Sequence, residues 1–246
     1  MSFGVVFPGQ GSQRVGMLEE AAGAFSVVSD TFSEASEALG YDLWQLVSQG
    51  PAEKLGLTEY TQPAILTASV ALFRAFTEAN AFQPIAGAGH SLGEYSALVS
   101  AGTLSLADGV RLVRQRGAAM QDAVPVGVGA MAVVMGLDDD VVTGTCTSMS
   151  TADSFVGGVN FNAPGQVVIA GHSAAVDAAI TALKDAGARR AMPLPVSAPF
   201  HTPLMQPAAE VMQQAFEDVS WSTPQFPVVS NVCLLYTSDA ADDSGC

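Results

Sequence analysis

The chain has 246 residues, 49% of them hydrophobic and 13% charged, enough for one large domain, or a domain with a smaller insertion, around a sizeable core. A formal net charge of −15, with only nine Lys and Arg, makes nucleic acid and acidic membrane surfaces poor partners. No apolar run reaches the roughly 18 residues of a membrane span, and MSFGVVFPG lacks the pattern of a secretory signal, so a cytoplasmic protein is expected.

Phe3–Phe7 reads as a short buried strand stopped by Pro8-Gly9. Ala21–Leu39 and Thr61–Phe82 carry helical patterns, the second with Leu66, Val70, Phe73 and Ala81 on roughly one face before Pro84 breaks it. A second strand, Ile85–Gly89, leads into helices over Glu94–Ser100 and Leu106–Ala123. After Pro125 the texture changes. Strand Ala130–Met135, helix Asp138–Met149, strands Phe155–Phe161 and Val167–Ala170, helix Ser173–Ala186 and strand Arg189–Leu194 give the order βαββαβ, the ferredoxin-like pattern. Thr202-Pro203 then opens a helix to Phe216 with proline in its favoured first turn.

The expected fold class is therefore α/β. An α/β-hydrolase-like large domain with a parallel sheet spans 1–124 and 205–232, and a ferredoxin-like small domain, 125–204, is inserted in it. The segment Cys233–Cys246 reads as foreign: CLLYTSDAAD matches one reading frame of a common sequencing-library adapter. Cys146, Cys233 and Cys246 lack metal spacing, and His90, His172 and His201 are scattered, so neither a disulfide framework nor a metal site is expected.

Gly89-His90-Ser91-Leu92-Gly93, between a strand and a helix, is the nucleophile-elbow pattern. A tight turn there would expose Ser91 Oγ, and the helix behind it would aim N–H groups at a developing oxyanion. A five-residue motif in a chain with 24 glycines is weak by itself, but its context fits. The base should be a histidine. His90 adjoins Ser91, where neighbouring side chains diverge, and His172 at a helix start suits a capping or surface role. His201, in the loop PVSAPFHTP, remains by elimination and position, with no carboxylate near it in sequence to complete a triad.

Arg116 is rotated about 200° from Arg114 on a helix and shares its face with Leu112, Val113, Ala119 and Met120. An arginine on an apolar stripe either snorkels or holds an anion with two parallel hydrogen bonds, and the pattern leaves both open. The glycines of FPGQGSQRVGM fit neither a P-loop nor GxGxxG, but such a loop can lend an N–H to an oxyanion hole. Arg111, Arg114 and Arg116 form one basic cluster, and Lys184, Arg189 and Arg190 another.

FPGQGSQ (7–13), GYDLW (40–44), TQPA (61–64), GHSLGEYSAL (89–98), RLVRQRG (111–117), NFNAPGQVVIAG (160–171) and LPVSAPFH (194–201) occur in an order that resembles the malonyl-CoA:acyl carrier protein transacylase family. The resemblance covers essentially residues 3–232. It implies malonyl transfer from malonyl-CoA to the phosphopantetheine thiol of acyl carrier protein in fatty-acid synthesis, by a ping-pong Ser91–His201 mechanism. It further implies an oxyanion hole from the N–H groups of Gln10 and Leu92, and Arg116 on the malonyl carboxylate. Phe200 and Met120 join Arg116 as substrate-binding residues, with Phe200 the malonyl-selective choice where methylmalonyl domains carry Ser. It implies no cofactor or metal, a monomer, and the two basic clusters as docking points for an acidic carrier protein. The family's later strand and helices, with a Gln segment that orients the histidine, have no counterpart here, so exposed apolar surface is expected in the large domain. The other readings are an esterase or thioesterase built on the same elbow, and an inactive truncated fragment.

Overall fold

A computed structural model describes residues 3–80, 83–196 and 198–231. The end of the helix expected over Thr61–Phe82, Ser197, and the reading of Cys233–Cys246 as foreign lie outside the described residues. The chain divides into two compact units: one of residues through Ala118 together with those from Gln214 on, the other Ala119–Gln213.

The first unit begins with β1 (Gly4–Phe7) and continues through α1 (Glu19–Ala24), α2 (Ser26–Leu39), α3 (Leu43–Gln49), α4 (Ala52–Leu55) and α5 (Thr58–Ala79). The helix expected over Ala21–Leu39 is two helices, because Phe25 is extended at φ −133°. Helix α3 lies in a stretch with no predicted element, yet it has a capping signal: the Asp42 carboxylate accepts from the Gln45 N–H at 2.8 Å. Strand β2 (Ala86–Gly89), α6 (Leu92–Ser100) and α7 (Leu106–Asp122) follow. Leu66, Val70, Ala97, Val110 and Val113 are buried, which fixes the faces that α5, α6 and α7 turn inward.

Strands β3 (Gly129–Met135), β4 (Val156–Ala163), β5 (Gln166–His172) and β6 (Arg190–Pro193), with α8 (Asp139–Met149) and α9 (Ser173–Asp185), build the second unit. Helix α10 (Gln206–Glu217) and β7 (Val228–Val229) follow among the described residues.

The first unit holds a parallel sheet in the order β1-β2-β7. Its middle strand is Ala-Gly-Ala-Gly, and the Phe226 ring covers Gly87 where a Cβ would come within 2.8 Å of it. An apolar groove lies along β1, lined by Phe7, Leu72, Phe73 and Phe76, with Val6 84% exposed beside it.

The second unit holds an antiparallel sheet in the order β4-β5-β3-β6, the ferredoxin-like arrangement of a βαββαβ chain. Alternation along the strands fills both of its faces. Val167 and Ile169 of β5 join Ala132 and Val134 of β3 in one cluster with Val176, Ile180 and Leu183 of α9. Their neighbours Val168, Ala170 and Met131 join a second cluster with Met120, Phe200 and Met205. Burying a side chain such as Ile169 contributes about 2 kcal/mol.

Candidate active site

Strand β2 ends at Gly89 and α6 begins at Leu92, so two residues make the whole turn. Ser91 takes φ 53° and ψ −107°, a conformation that a non-glycine residue adopts only when its surroundings enforce it. The two glycines of the motif serve close approach rather than the turn angle. A Cβ at Gly89 would overlap the backbone of Gly93 and Glu94, and one at Gly93 would overlap the Phe7 carbonyl oxygen. With both positions empty, α6 starts directly against the ends of β1 and β2.

Backbone bonds close the turn. The Gly93 N–H donates to His90 O at 2.9 Å, and the Glu94 N–H donates to Ser91 O at 3.1 Å. The N–H of Leu92, first residue of α6, has no intrahelical partner by helix geometry and stands next to Ser91. The loop after β1 lies on the same turn: a Cβ at Gly9 would come within 2.8 Å of His90 Nδ1. That contact sets Gln10 beside the elbow, where its Nε2 lies 3.4 Å from Thr58 Oγ1.

Arg116 reaches the serine from α7. Its Nη2 donates to Ser91 Oγ at 3.2 Å, its Nη1 donates to Gln62 Oε1 at 3.0 Å, and its guanidinium lies 5.7 Å from the centre of the Tyr95 ring. Gly117 makes this reach possible, because a Cβ there would come within 2.6 Å of Thr58 O where α7 crosses the start of α5. Among the described residues no carboxylate forms an ion pair with Arg116. Burial pulls its pKa down, and Tyr95 and Glu94 oppose that pull. A guanidinium stays protonated under such a pull, so the site holds a desolvated cation whose hydrogen-bond partners Gln62 and Ser91 are neutral. Burial also pushes the Glu94 carboxyl up, against the Asn231 N–H, Ser230 and Arg116.

Gln62, Tyr95, Glu94 and Asn231 belong to this cluster and escaped the sequence reading. Gln62 had a signal, a lone amide among Pro63, Ala64, Ile65 and Leu66, and it is 1% exposed. Asn231 had none: it lies 140 residues from Ser91, yet its Oδ1 accepts from the Ser91 N–H at 2.8 Å and its Nδ2 donates to Gly89 O at 2.7 Å.

The remaining expected site residues lie in the second unit. Met120 and Phe200 are buried in one cluster, and His201 is exposed with φ 63°, a second non-glycine residue held at positive φ. Thr202 Oγ1 donates to Pro199 O at 2.6 Å and ties the loop on both sides of it. His172 Nδ1 accepts from the Phe155 N–H at 2.9 Å, a structural task. The basic clusters differ. Arg111, itself exposed, and Arg114 donate to the carbonyls of Ala38 and Leu39 at the end of α2, and Lys184, Arg189 and Arg190 are all exposed. Among the described residues there is no group of three metal ligands and no helix long and apolar enough to cross a membrane.

The acyl transferase domain family matches residues 5–241, a span that reaches into the segment the sequence sets apart. The malonyl CoA-acyl carrier protein transacylase of Salmonella typhimurium is 55% identical over 239 residues, covering 97% of this chain and 77% of that protein. The structure of the malonyl CoA-acyl carrier protein transacylase from Coxiella burnetii superposes with a TM-score of 0.94 at 47% identity, covering 96% of this chain and 74% of that one. A malonyl-transacylase in complex with its type II PKS acyl-carrier protein superposes with a TM-score of 0.94 at 51% identity, covering 98% and 78%. The chain belongs to the acyl transferase domain family.

Proposed function

We propose that this chain transfers the malonyl group from malonyl-CoA to the phosphopantetheine thiol of acyl carrier protein, in fatty-acid synthesis, through an ester on Ser91. The observation that carries the reading is the Arg116 guanidinium, desolvated and free of ion pairs among the described residues, one hydrogen bond from the elbow serine. A nucleophile beside such a cation suits an acyl group that ends in a free carboxylate. The named relatives act on malonyl-CoA and acyl carrier protein, and their likeness runs through nearly the whole chain.

Ser91 Oγ attacks the thioester carbonyl and passes its proton to His201. The oxyanion accepts hydrogen bonds from the N–H groups of Leu92 and Gln10. The carbon–sulfur bond breaks, and CoA leaves as the thiol with the proton from His201. Arg116 turns its two Nη groups from Ser91 Oγ and Gln62 to the malonyl carboxylate, while Phe200 and Met120 bound the acyl pocket. The carrier thiol then gives its proton to His201 and attacks the ester, and Ser91 recovers a proton as it departs. The exposed Lys184, Arg189 and Arg190, together with the exposed Arg111 of the other basic cluster, are the cations that would meet an acidic carrier protein. The protein works as a cytoplasmic monomer.

Incubation with malonyl-CoA will add a malonyl mass to the peptide that contains Ser91, and holo carrier protein will remove it. A folded chain that never gains the mass, or that sheds free malonate faster than it transfers it, overturns the reading. Arg116→Ala will lower malonyl transfer by about 100-fold or more and acetyl transfer far less, since only malonyl offers a carboxylate to pair. Equal losses would make Arg116 structural.

A further inference from the structure

Ser91 is held at φ 53° by something other than its own preference, and the helix and strand on either side do not supply all of the restraint. The turn leaves the Gly89 carbonyl and the Ser91 N–H two residues apart, facing the same side. The Asn231 carboxamide fits both: it donates to Gly89 O at 2.7 Å and accepts from the Ser91 N–H at 2.8 Å. A carboxamide carries its acceptor and its donor fixed on one carbon, which matches this pair of backbone groups.

Asn231 is itself anchored twice. Strand β7, two residues long, pairs in parallel with β2 through Gly87–Val228 and Ala88–Val229, so the chain beyond it runs beside the elbow. The Asn231 N–H also donates to Glu94 Oε2 at 3.1 Å, which ties it to the first turn of α6. Three bonds thus join the end of β2, the serine and the start of α6 through one residue.

We propose that Asn231 is a positioning residue that fixes the elbow, so that Ser91 Oγ and the Leu92 N–H keep their mutual aim at the reacting carbonyl. The inference deepens the acyl-transfer reading and rests on it for the reaction, though the restraint concerns any electrophile that Ser91 meets. It also gives the short strand β7 a task beyond extending the sheet.

The test compares Asn231→Leu, which keeps the size and loses both bonds, with Asn231→Asp, which keeps the acceptor for the Ser91 N–H and loses the donor to Gly89 O. Three quantities are read: kcat and KM for malonyl transfer, the rate at which a fluorophosphonate labels Ser91, and the melting temperature. Asn231→Leu will lose about 100-fold in kcat and in labelling rate, as a misaimed nucleophile does. Its KM for malonyl-CoA will stay within about threefold, because Arg116 is untouched. Asn231→Asp will lose about tenfold, and both variants will melt within a few degrees of the unmodified chain. Unchanged kcat and labelling in Asn231→Leu, or losses that only track a smaller folded fraction, overturn the proposal. So does a raised KM at constant kcat. If the unmodified chain takes up fluorophosphonate but no malonyl group, the transfer reading fails, and the labelling rates of the variants still decide the role of Asn231.

Discussion

The two sheets solve different problems with the same kinds of residue. The antiparallel sheet of β3 to β6 fills both faces with aliphatic side chains, and Ile169, Val167, Ala132 and Leu183 are fully buried. The parallel sheet gives up that bulk. Its middle strand is Ala-Gly-Ala-Gly, and its cover at Gly87 is a ring that enters from outside the strand. The exchange yields close backbone approach, which lets α6 start against the strand ends and puts Ser91 at their carboxyl side, where open α/β sheets place their ligands. One sheet is specified by volume and the other by the absence of volume.

Glycine-to-alanine substitutions separate these two kinds of specification most sharply. At Gly93 a Cβ would overlap the Phe7 carbonyl oxygen and lie 3.0 Å from Pro8 O, both backbone atoms with no rotamer to yield. Gly93→Ala will destabilise the chain by more than about 4 kcal/mol or leave Ser91 unreactive in a shifted turn, in the class of backbone-strain mutants. Thermal melting and fluorophosphonate labelling read the two outcomes. A variant that melts within about 2 °C of the unmodified chain and labels normally would mean that the elbow does not need the close approach.

How far each region could be read in advance follows the same division. The βαββαβ order was legible because alternation, an acidic helix start at Asp138 and a left-handed Gly187 after α9 are local signals. Helices α3 and α4 were not, because each is only a turn or two long, and the two-residue β7 was not, because its partner β2 is distant in sequence. Arg116 could be singled out as a charge on an apolar stripe, though not as a residue on the serine. Its contacts with Gln62, Tyr95 and Ser91 come from packing of α5, α6 and α7. Ser91 was legible because its elbow is contiguous in sequence. The amide that holds it was not, since nothing near Asn231 announces a partner in β2.

The second unit offers the counterpart to Gly93. Gly144 lies inside α8, with ordinary helical φ and no atom within 4 Å of the position a Cβ would take. Alanine there removes backbone freedom from the unfolded chain and meets nothing in the folded one. Gly144→Ala will stabilise the protein by about 0.5–1 kcal/mol without altering malonyl transfer. A loss of stability would show that α8 tolerates no added volume, and the contrast between the sheets would weaken.

The smallest effect concerns charge rather than volume. Glu94 is the acid nearest the elbow, and burial holds its carboxyl above the ordinary carboxylate value despite the Asn231 N–H and Arg116. A carboxyl whose pKa is higher in the folded chain binds more protons there than in the unfolded one. Its contribution to stability is therefore complete below the unfolded value and is lost as pH rises through the folded value. In Glu94→Gln the Oε1 still accepts from the Asn231 N–H, and there is no ionisation to lose. The melting temperature of the variant, less that of the unmodified chain, will rise as pH climbs past the unfolded carboxylate value and level off once pH has passed the raised folded one. A difference that falls over this range would mean that Arg116 and the Asn231 N–H outweigh burial, and that Glu94 acts as an anionic clasp on the loop after β7.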